Sequence, residues 1–530
     1  MKLGKPNKMH LNGRFARKIE NLPESIAMVT RLHRPSSFPT PADPVHERMS
    51  KVDTAWLRMD SPSNLMMIVG VWILKPTVSY VDACQRIEER LLKYPRFGQK
   101  VVQDATGASW VTDTDFDIKR HVLREKLPPS AKVHPQQALQ ARLAELALKP
   151  LDPRHPLWDF RLVEHYQGGS ALLVRIHHCI ADGLALIAVI QSLVDGGTEP
   201  PQRKPKPAQD SAWEAAEDWM AHTLIEPLTG ATVRALTAAG EGAAHAFSAL
   251  GDPRNRLDKL VEKGLAKGMS GSADMAKMAY QMLRDGAALA LMPDDSPTRL
   301  KGTPGHAKRV AWCQPIPLDD VRAVSKALHC SINDVLLACV AGAIGQYLKA
   351  RGDSVAGKEI RAMVPVNLRP VAPSYDLGNK FGLAPVVLPI GMDNPLERVF
   401  EVRRRMCTLK GSMQPLLTFA LLAVAGMVVK PAQDAMLSLF SKKTTAVMTN
   451  VPGPRDKLTF CGATLEQPLV WVPQSGTVGL GVSILSYGGG VQFGLISDTT
   501  LCPDPQAIID QFEPEFAKLT LLTLMLPWGE

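Results

Sequence analysis

At 530 residues the chain is too long for one ordinary domain and long enough for two or three hydrophobic cores. Apolar residues at 45% and charged residues at 21% exclude disordered, collagen-like and fibrous classes. The net charge of +9 is uneven. Residues 1–48 hold nine Lys and Arg against four Asp and Glu, so the rest carries 52 against 48, and the pI of 9.1 is no argument for nucleic-acid binding.

Met1–Phe15 is basic but has no apolar h-region, so no signal peptide is expected. Residues 1–48, with Pro35, Pro39, Pro41 and Pro44, show no sustained period and read as a basic, flexible extension; translation starting at Met49 is the open alternative. A first mixed α/β region is expected over 49–205. Met67–Leu74 reads as a strand, and Val81–Tyr94 and Gln136–Leu148 read as helices. Trp158–Tyr166 and Ala171–His178 alternate like paired strands turning at Gly168-Gly169-Ser170, and Gly183–Val194 is a strongly apolar helix.

Composition over 206–300, rich in Ala, Met and Leu, predicts a helical connector, with the Met-rich helices at 265–292 read as core or as a lid. The second α/β region, 301–530, is expected to hold helices over Leu318–Leu328 and Ser331–Ala350. Strands are expected over Arg361–Val366, Phe381–Ile390, Thr444–Met448, Val478–Tyr487 and Val491–Ser497, the last two forming a hairpin at Gly488-Gly489-Gly490. The apolar stretch Leu416–Val429 is only fourteen residues long, too short to span a bilayer but long enough to dip into one. Arg403, Arg404, Arg405, Lys410 and Lys430 flank it and suit either a solvated face or lipid headgroups. Eight scattered cysteines with no CxxC and no metal-ligand spacing point to a reducing cytosol without disulfides.

One motif carries chemistry: His177-His178-Cys179-Ile180-Ala181-Asp182-Gly183, an HHxxxDG whose chance occurrence is about one in a thousand. The histidines end an apolar strand, and Asp182 stands where a helix N-cap belongs. Strand alternation puts His178 on one face with Leu172, Val174 and Ile176, while His177 shares the other with Arg175. A neutral imidazole on that apolar face suits removal of a proton from a hydroxyl attacking an acyl carbonyl, which makes His178 the candidate general base and His177 a supporting residue. The bland alternative is a strand-end histidine beside a helix cap. GxSxG, P-loop, GxGxxG and HExxH motifs are absent, and Cys179 reads as an inert buried thiol.

The HHxxxDG motif resembles that of the acyl-CoA-dependent acyltransferases, which include chloramphenicol acetyltransferase, the plant BAHD enzymes and condensation domains. Further elements narrow the resemblance to the bacterial wax ester synthase/diacylglycerol acyltransferase family. They are Met49-Ser50 with Asp53-Thr54-Ala55-Trp56-Leu57, Pro156-Leu157-Trp158, Asn333-Asp334, Val364–Pro370, Gly378-Asn379-Lys380-Phe381 and Asn450-Val451-Pro452-Gly453-Pro454.

The resemblance implies two chloramphenicol-acetyltransferase-like α/β halves with mixed sheets, joined by the helical connector, and a site between them. It implies transfer of a long-chain acyl group from acyl-CoA to a diacylglycerol or a fatty alcohol, with no metal and no cofactor beyond that co-substrate. It also implies attachment to the inner membrane face or to lipid inclusions. Asn333 is expected to reach the site, with Gly183 as the closing residue of the catalytic motif and Asp182 structural and paired with Arg369. Pro156, Leu157, Trp158, Asn379, Asn450, Pro452 and Gly453 are expected to shape the channel or the fold, the Asn450–Pro454 element as a rigid turn. A catalytically silent lipid-binding protein, and condensation between carrier-bound groups, remain open as alternatives. Oligomeric state and acceptor preference are not legible.

Overall fold

The computed structural model describes residues 47–104, 107–128, 134–197, 285, 289, 292–368, 377–428 and 430–525. Most of the expected connector, the Met-rich segment and Arg369 lie outside them. The first half runs β1 (Glu47–Arg48), α1 (Lys51–Arg58), β2 (Met67–Lys75), α2 (Tyr80–Leu91), β3 (Gln99–Asp104), β4 (Gly107–Thr112) and α3 (Ile118–His121). It continues through β5 (Val122–Arg124), α4 (Pro135–Leu146), β6 (Trp158–Tyr166), β7 (Gly169–His177) and α5 (Gly183–Leu193).

The second half opens with β8 (Lys308–Trp312), β9 (Ile316–Pro317), α6 (Leu318–Ala327), α7 (Ile332–Ala350), β10 (Ile360–Asn367), β11 (Phe381–Leu388), α8 (Pro395–Lys410), α9 (Gln414–Met427) and α10 (Lys430–Lys442). It closes with β12 (Ala446–Pro452), β13 (Thr459–Phe460), β14 (Ala463–Trp471), β15 (Leu480–Tyr487), β16 (Gly490–Asp498) and α11 (Gln506–Leu524).

Among the described residues three mixed or antiparallel sheets form: β1-β4-β3, then β13-β14-β2-β7-β6-β5, then β11-β10-β12-β15-β16-β8 with β9 paired to β16. Both expected hairpins form. Gly488 and Gly489 carry φ of +57° and +79°, the left-handed pair that a two-residue hairpin turn needs. In the β6–β7 hairpin the turn sits at Gln167 and Gly168, and Gly169 and Ser170 belong to the strand, because they pair with Tyr166 and Leu74.

Helix α7 starts at a capping box between Ser331 and Asp334 and is buried along most of its length. Arg398 on α8 and Glu515 on α11 form a buried ion pair beside its Gly342.

Further sequence expectations are corrected. Ala463–Trp471, read as no element, is β14, which crosses back to pair with β2 in the first half's sheet. Its alternation is masked by Gln467-Pro468 and a bulge between Leu465 and Gln467, and a boundary at residue 300 therefore does not separate the sheets. Asn450 to Pro452, read as a turn, complete β12, which pairs in parallel with β15. Glu47 and Arg48, assigned to the extension, pair with Trp110 and Ser109 of β4.

Finally, α9, which carries the stretch read as long enough to dip into a bilayer, packs inside the protein. Gly426 sits so close to α1 that a Cβ there would lie 1.8 Å from the Lys51 carbonyl oxygen. Ala55, Ala420, Val424 and Ala425 pack together, so the apolar stretch is an internal wall. Among the described residues no single helix is long and apolar enough to cross a membrane.

Candidate active site

The chain leaves β7 at His177 and turns into α5, and this junction is pinned at both ends. His178 N donates to the Met66 carbonyl at 2.7 Å, and the His178 carbonyl accepts from Asn379 Nδ2 at 2.7 Å. Alternation then puts Val174, Ile176 and His178 on the wall of a cavity of about 530 Å³, with Ile68, Gly70 and Trp72 of β2 alongside. Helix α5 faces them, and α9, α10 and the end of β12 close the other side.

Trp56 stacks on the His178 ring with centroids 4.2 Å apart and planes 15° apart, and Phe381 lies at 5.6 Å. Burial pushes the imidazole down to about 4, against the opposing pull of Asp182, its own backbone carbonyl and the Asn379 side chain. His178 is therefore neutral near pH 7, the form a general base requires.

His177 faces the other way. Its Nδ1 accepts from Cys179 N at 3.2 Å and its Nε2 lies 3.4 Å from Asp60 Oδ1, which also accepts from Met66 N. That geometry holds the turn. Burial raises the Cys179 thiol well above its ordinary range, so no thiolate is available there.

Asp182 caps α5 through Oδ1, accepting from Ala185 N at 2.9 Å, while Oδ2 accepts from Lys380 N at 3.0 Å in the second half. The expected partner Arg369 lies outside the described residues. Gly183 lines the cavity, and a Cβ there would meet nothing within 4 Å.

Asn450 and Pro452 also line the cavity. Asn333 stands behind Asn450, accepting from its Nδ2 at 2.6 Å, so it supports a lining residue without lining the cavity itself. Gly453 allows a close approach: its N donates to Ser486 O at 2.7 Å, and a Cβ would meet that same oxygen at 2.7 Å. Pro156, Leu157 and Trp158 buttress the strand from outside the cavity. The Leu157 carbonyl accepts from His177 N, and the Trp158 indole donates to the Phe97 carbonyl at 2.8 Å.

The structure adds residues that sequence reasoning did not assign to the site: Asp53 and Trp56 on α1, Phe381, Gly70 and the α9 wall. Asp53 and Trp56 stand three apart and so share a helix face, but nothing local indicates what that face meets. Among the described residues no three His, Cys, Asp or Glu side chains converge to hold a metal ion.

Residues 49–336 match the wax ester synthase/diacylglycerol acyltransferase catalytic domain, and residues 377–520 match the WS/DGAT C-terminal domain. A probable diacylglycerol O-acyltransferase of Mycobacterium tuberculosis is 26% identical over 448 residues, covering 82% of this chain and 87% of the relative. A second, putative one from the same organism is 28% identical over 493 residues, covering 89% and 99%. Among solved structures, the wax ester synthase/diacylglycerol acyltransferase of Marinobacter aquaeolei VT8 superposes with a TM-score of 0.60 at 19% identity, over 90% of this chain and all of that one. The first condensation domain of the calcium-dependent antibiotic synthetase gives 0.54 at 13%, over 91% and 97%. Both likenesses share the expected two-half α/β fold.

Proposed function

Because this chain belongs to the wax ester synthase/diacylglycerol acyltransferase family, we propose that its cleft moves a long-chain acyl group from acyl-CoA to the hydroxyl of a diacylglycerol or a fatty alcohol, with His178 as general base. The chain is an acyl-CoA-dependent O-acyltransferase. The observation that carries the assignment of His178 is a buried imidazole on the wall of an apolar cavity lined from both halves.

The acceptor oxygen attacks the thioester carbonyl as its proton passes to His178 Nε2. The tetrahedral intermediate then collapses, the carbon–sulfur bond breaks, and the leaving thiolate of coenzyme A takes the proton from the imidazolium. The thioester is already activated, so the protein has to orient, deprotonate and exclude water, and no group beyond the co-substrate is required. An apolar wall suits the last task, since water would hydrolyse the same bond.

Release of coenzyme A thiol from palmitoyl-CoA, with hexadecanol, with 1,2-dipalmitoylglycerol and with neither, tests the reading. Acceptor-dependent release forming an ester is expected, and acceptor-independent hydrolysis or no turnover contradicts it. Insoluble acceptors also favour peripheral attachment to a membrane or lipid inclusion. Release by high salt or carbonate is the expected behaviour, and resistance to both argues against it.

A further inference from the structure

A base that takes the hydroxyl proton becomes an imidazolium, and the surroundings of His178 make that cation hard to form. The residue is only 3% exposed, and burial sets the charged ring at a disadvantage. Asp182 favours the cation through space, while its two oxygens accept from Ala185 N and Lys380 N. The group in face-to-face contact with the ring is Trp56, with centroids 4.2 Å apart and planes 15° apart.

Trp56 is held in that place from both halves. It lies on α1, which Ser50 caps by accepting from Asp53 N at 3.0 Å. Gln433 Nε2, on α10, donates to the Ala55 carbonyl at 2.9 Å, and Ala55 packs with Ala420, Val424 and Ala425 of α9. Phe381, at the start of β11, stands 5.7 Å from the indole and 5.6 Å from the imidazole. The indole is itself only 5% exposed, so little water screens it from the imidazole.

We propose that Trp56 serves the reaction through His178, its indole face stabilising the imidazolium that forms as the proton leaves the acceptor hydroxyl. The face of an indole is the negative side of its quadrupole and attracts a cation within about 6 Å of its centroid. A desolvated contact of this kind favours the charged form by about thirtyfold, whereas a neutral imidazole gains only the ordinary stacking contact. The stabilisation is therefore small in the resting enzyme and grows as charge develops, which is the condition for raising the rate of the chemical step. When the proton passes on to the coenzyme A thiolate, the ring is neutral again and the attraction lapses. Trp56 is thus a positioning residue, and the inference rests on the reading of His178 as general base.

The test keeps the shape of the indole and changes its electron density. Mono-, di- and trifluorotryptophan are placed at position 56 of the full chain through a reassigned stop codon, beside Trp56→Phe, Trp56→Leu and His178→Gln. The readout is the rate of ester formation in a single turnover, with enzyme in excess over palmitoyl-CoA and whichever of hexadecanol and 1,2-dipalmitoylglycerol supports turnover; melting temperature is followed alongside. The rate is expected to fall stepwise with each fluorine at unchanged melting, to fall about thirtyfold in Trp56→Leu, and to lie between the two extremes in Trp56→Phe. A purely structural role would follow ring shape and melting and ignore the fluorine count. A flat fluorine series overturns the proposal whether or not Trp56→Leu folds, and so does a folded Trp56→Leu with the wild-type rate. A flat series with an inactive, folded His178→Gln removes the role of Trp56 and leaves the general base standing. A His178→Gln that keeps the wild-type rate removes the general-base reading and this inference with it.

Discussion

Gly70 lies in the middle of β2, paired with Val174 on one side and Val470 on the other. A strand-interior glycine costs about 0.5–1 kcal/mol in backbone freedom, so its presence calls for a reason. A Cβ built on it has as its nearest neighbours the Leu469 carbonyl oxygen at 3.0 Å and Val470 at 3.9 Å, and the residue lines the cavity together with Leu186, Val189 and Leu193 of α5. Gly70 shares the cavity wall with His178 and pairs with Val174, four residues before it on β7, so a side chain there would extend into the cavity at a distance from the base. Gly70→Ile puts four carbons into that part of the cavity and displaces up to four methylenes of a bound chain. At about 0.8 kcal/mol per methylene this removes about 3 kcal/mol of binding from long chains, or about two hundredfold, while short chains are spared.

The assay is kcat/KM over acyl-CoA donors from eight to eighteen carbons, repeated over fatty alcohols of the same lengths. One of the two long-to-short ratios should fall by about that factor, and the series in which it falls identifies the chain that occupies that part of the cavity. The Leu469 carbonyl, 3.0 Å from the new Cβ, has to give by a few tenths of an ångström, so melting is measured alongside to establish that the variant is folded. If neither ratio moves in a folded variant, that part of the cavity carries no chain and the reasoning is refuted.

His178→Ala should lower kcat by a hundredfold or more without loss of melting temperature, whereas His177→Ala should cost stability more than turnover, since it loses the contacts to Cys179 and Asp60; a larger kcat loss in His177→Ala would contradict the facing. Two opposed titrations should appear in stability measured by urea unfolding against pH. His178 is lowered from 6.5 to about 4 by burial, so the unfolded state holds the extra proton and stability falls as pH drops through that window. Burial raises Asp53 from 3.8 to about 6, so the folded state holds the extra proton and stability falls as pH rises through its window. Between about pH 4 and pH 6 the two nearly cancel in wild type. His178→Gln should expose the Asp53 slope, on the order of 3 kcal/mol, and Asp53→Asn the opposite one; flat profiles in both variants would count against the burial argument. Deleting residues 1–46 should leave turnover and melting unchanged, while deleting 1–48 should lower melting, because Glu47 pairs with Arg96 and Arg48 with Asp104; equal melting of the two truncations would count against a role for β1.

What the sequence determined is what short-range physics determines. Alternation along Ala171–His178 separates the two histidines onto opposite faces whatever surrounds the strand, and Asp182 is an N-cap wherever α5 packs. The hairpin at Gly488 and Gly489 and the capped start of α7 are equally local. Tertiary structure decided the rest, through contacts between residues hundreds of positions apart. Asp53 and Asn379 meet across 326 residues, and no propensity or spacing in either segment foretells it. Asn333 stops behind Asn450, 117 residues away, because α7 enters beside the end of β12 and not into the cavity. The apolar run of α9 has the same composition whether it lies on lipid or on protein, and only α1 packed on Gly426 makes it a wall. Strand β14 carries too weak an alternation to be recognised alone and is held as a strand by the edge of β2, which lies in the other half of the chain.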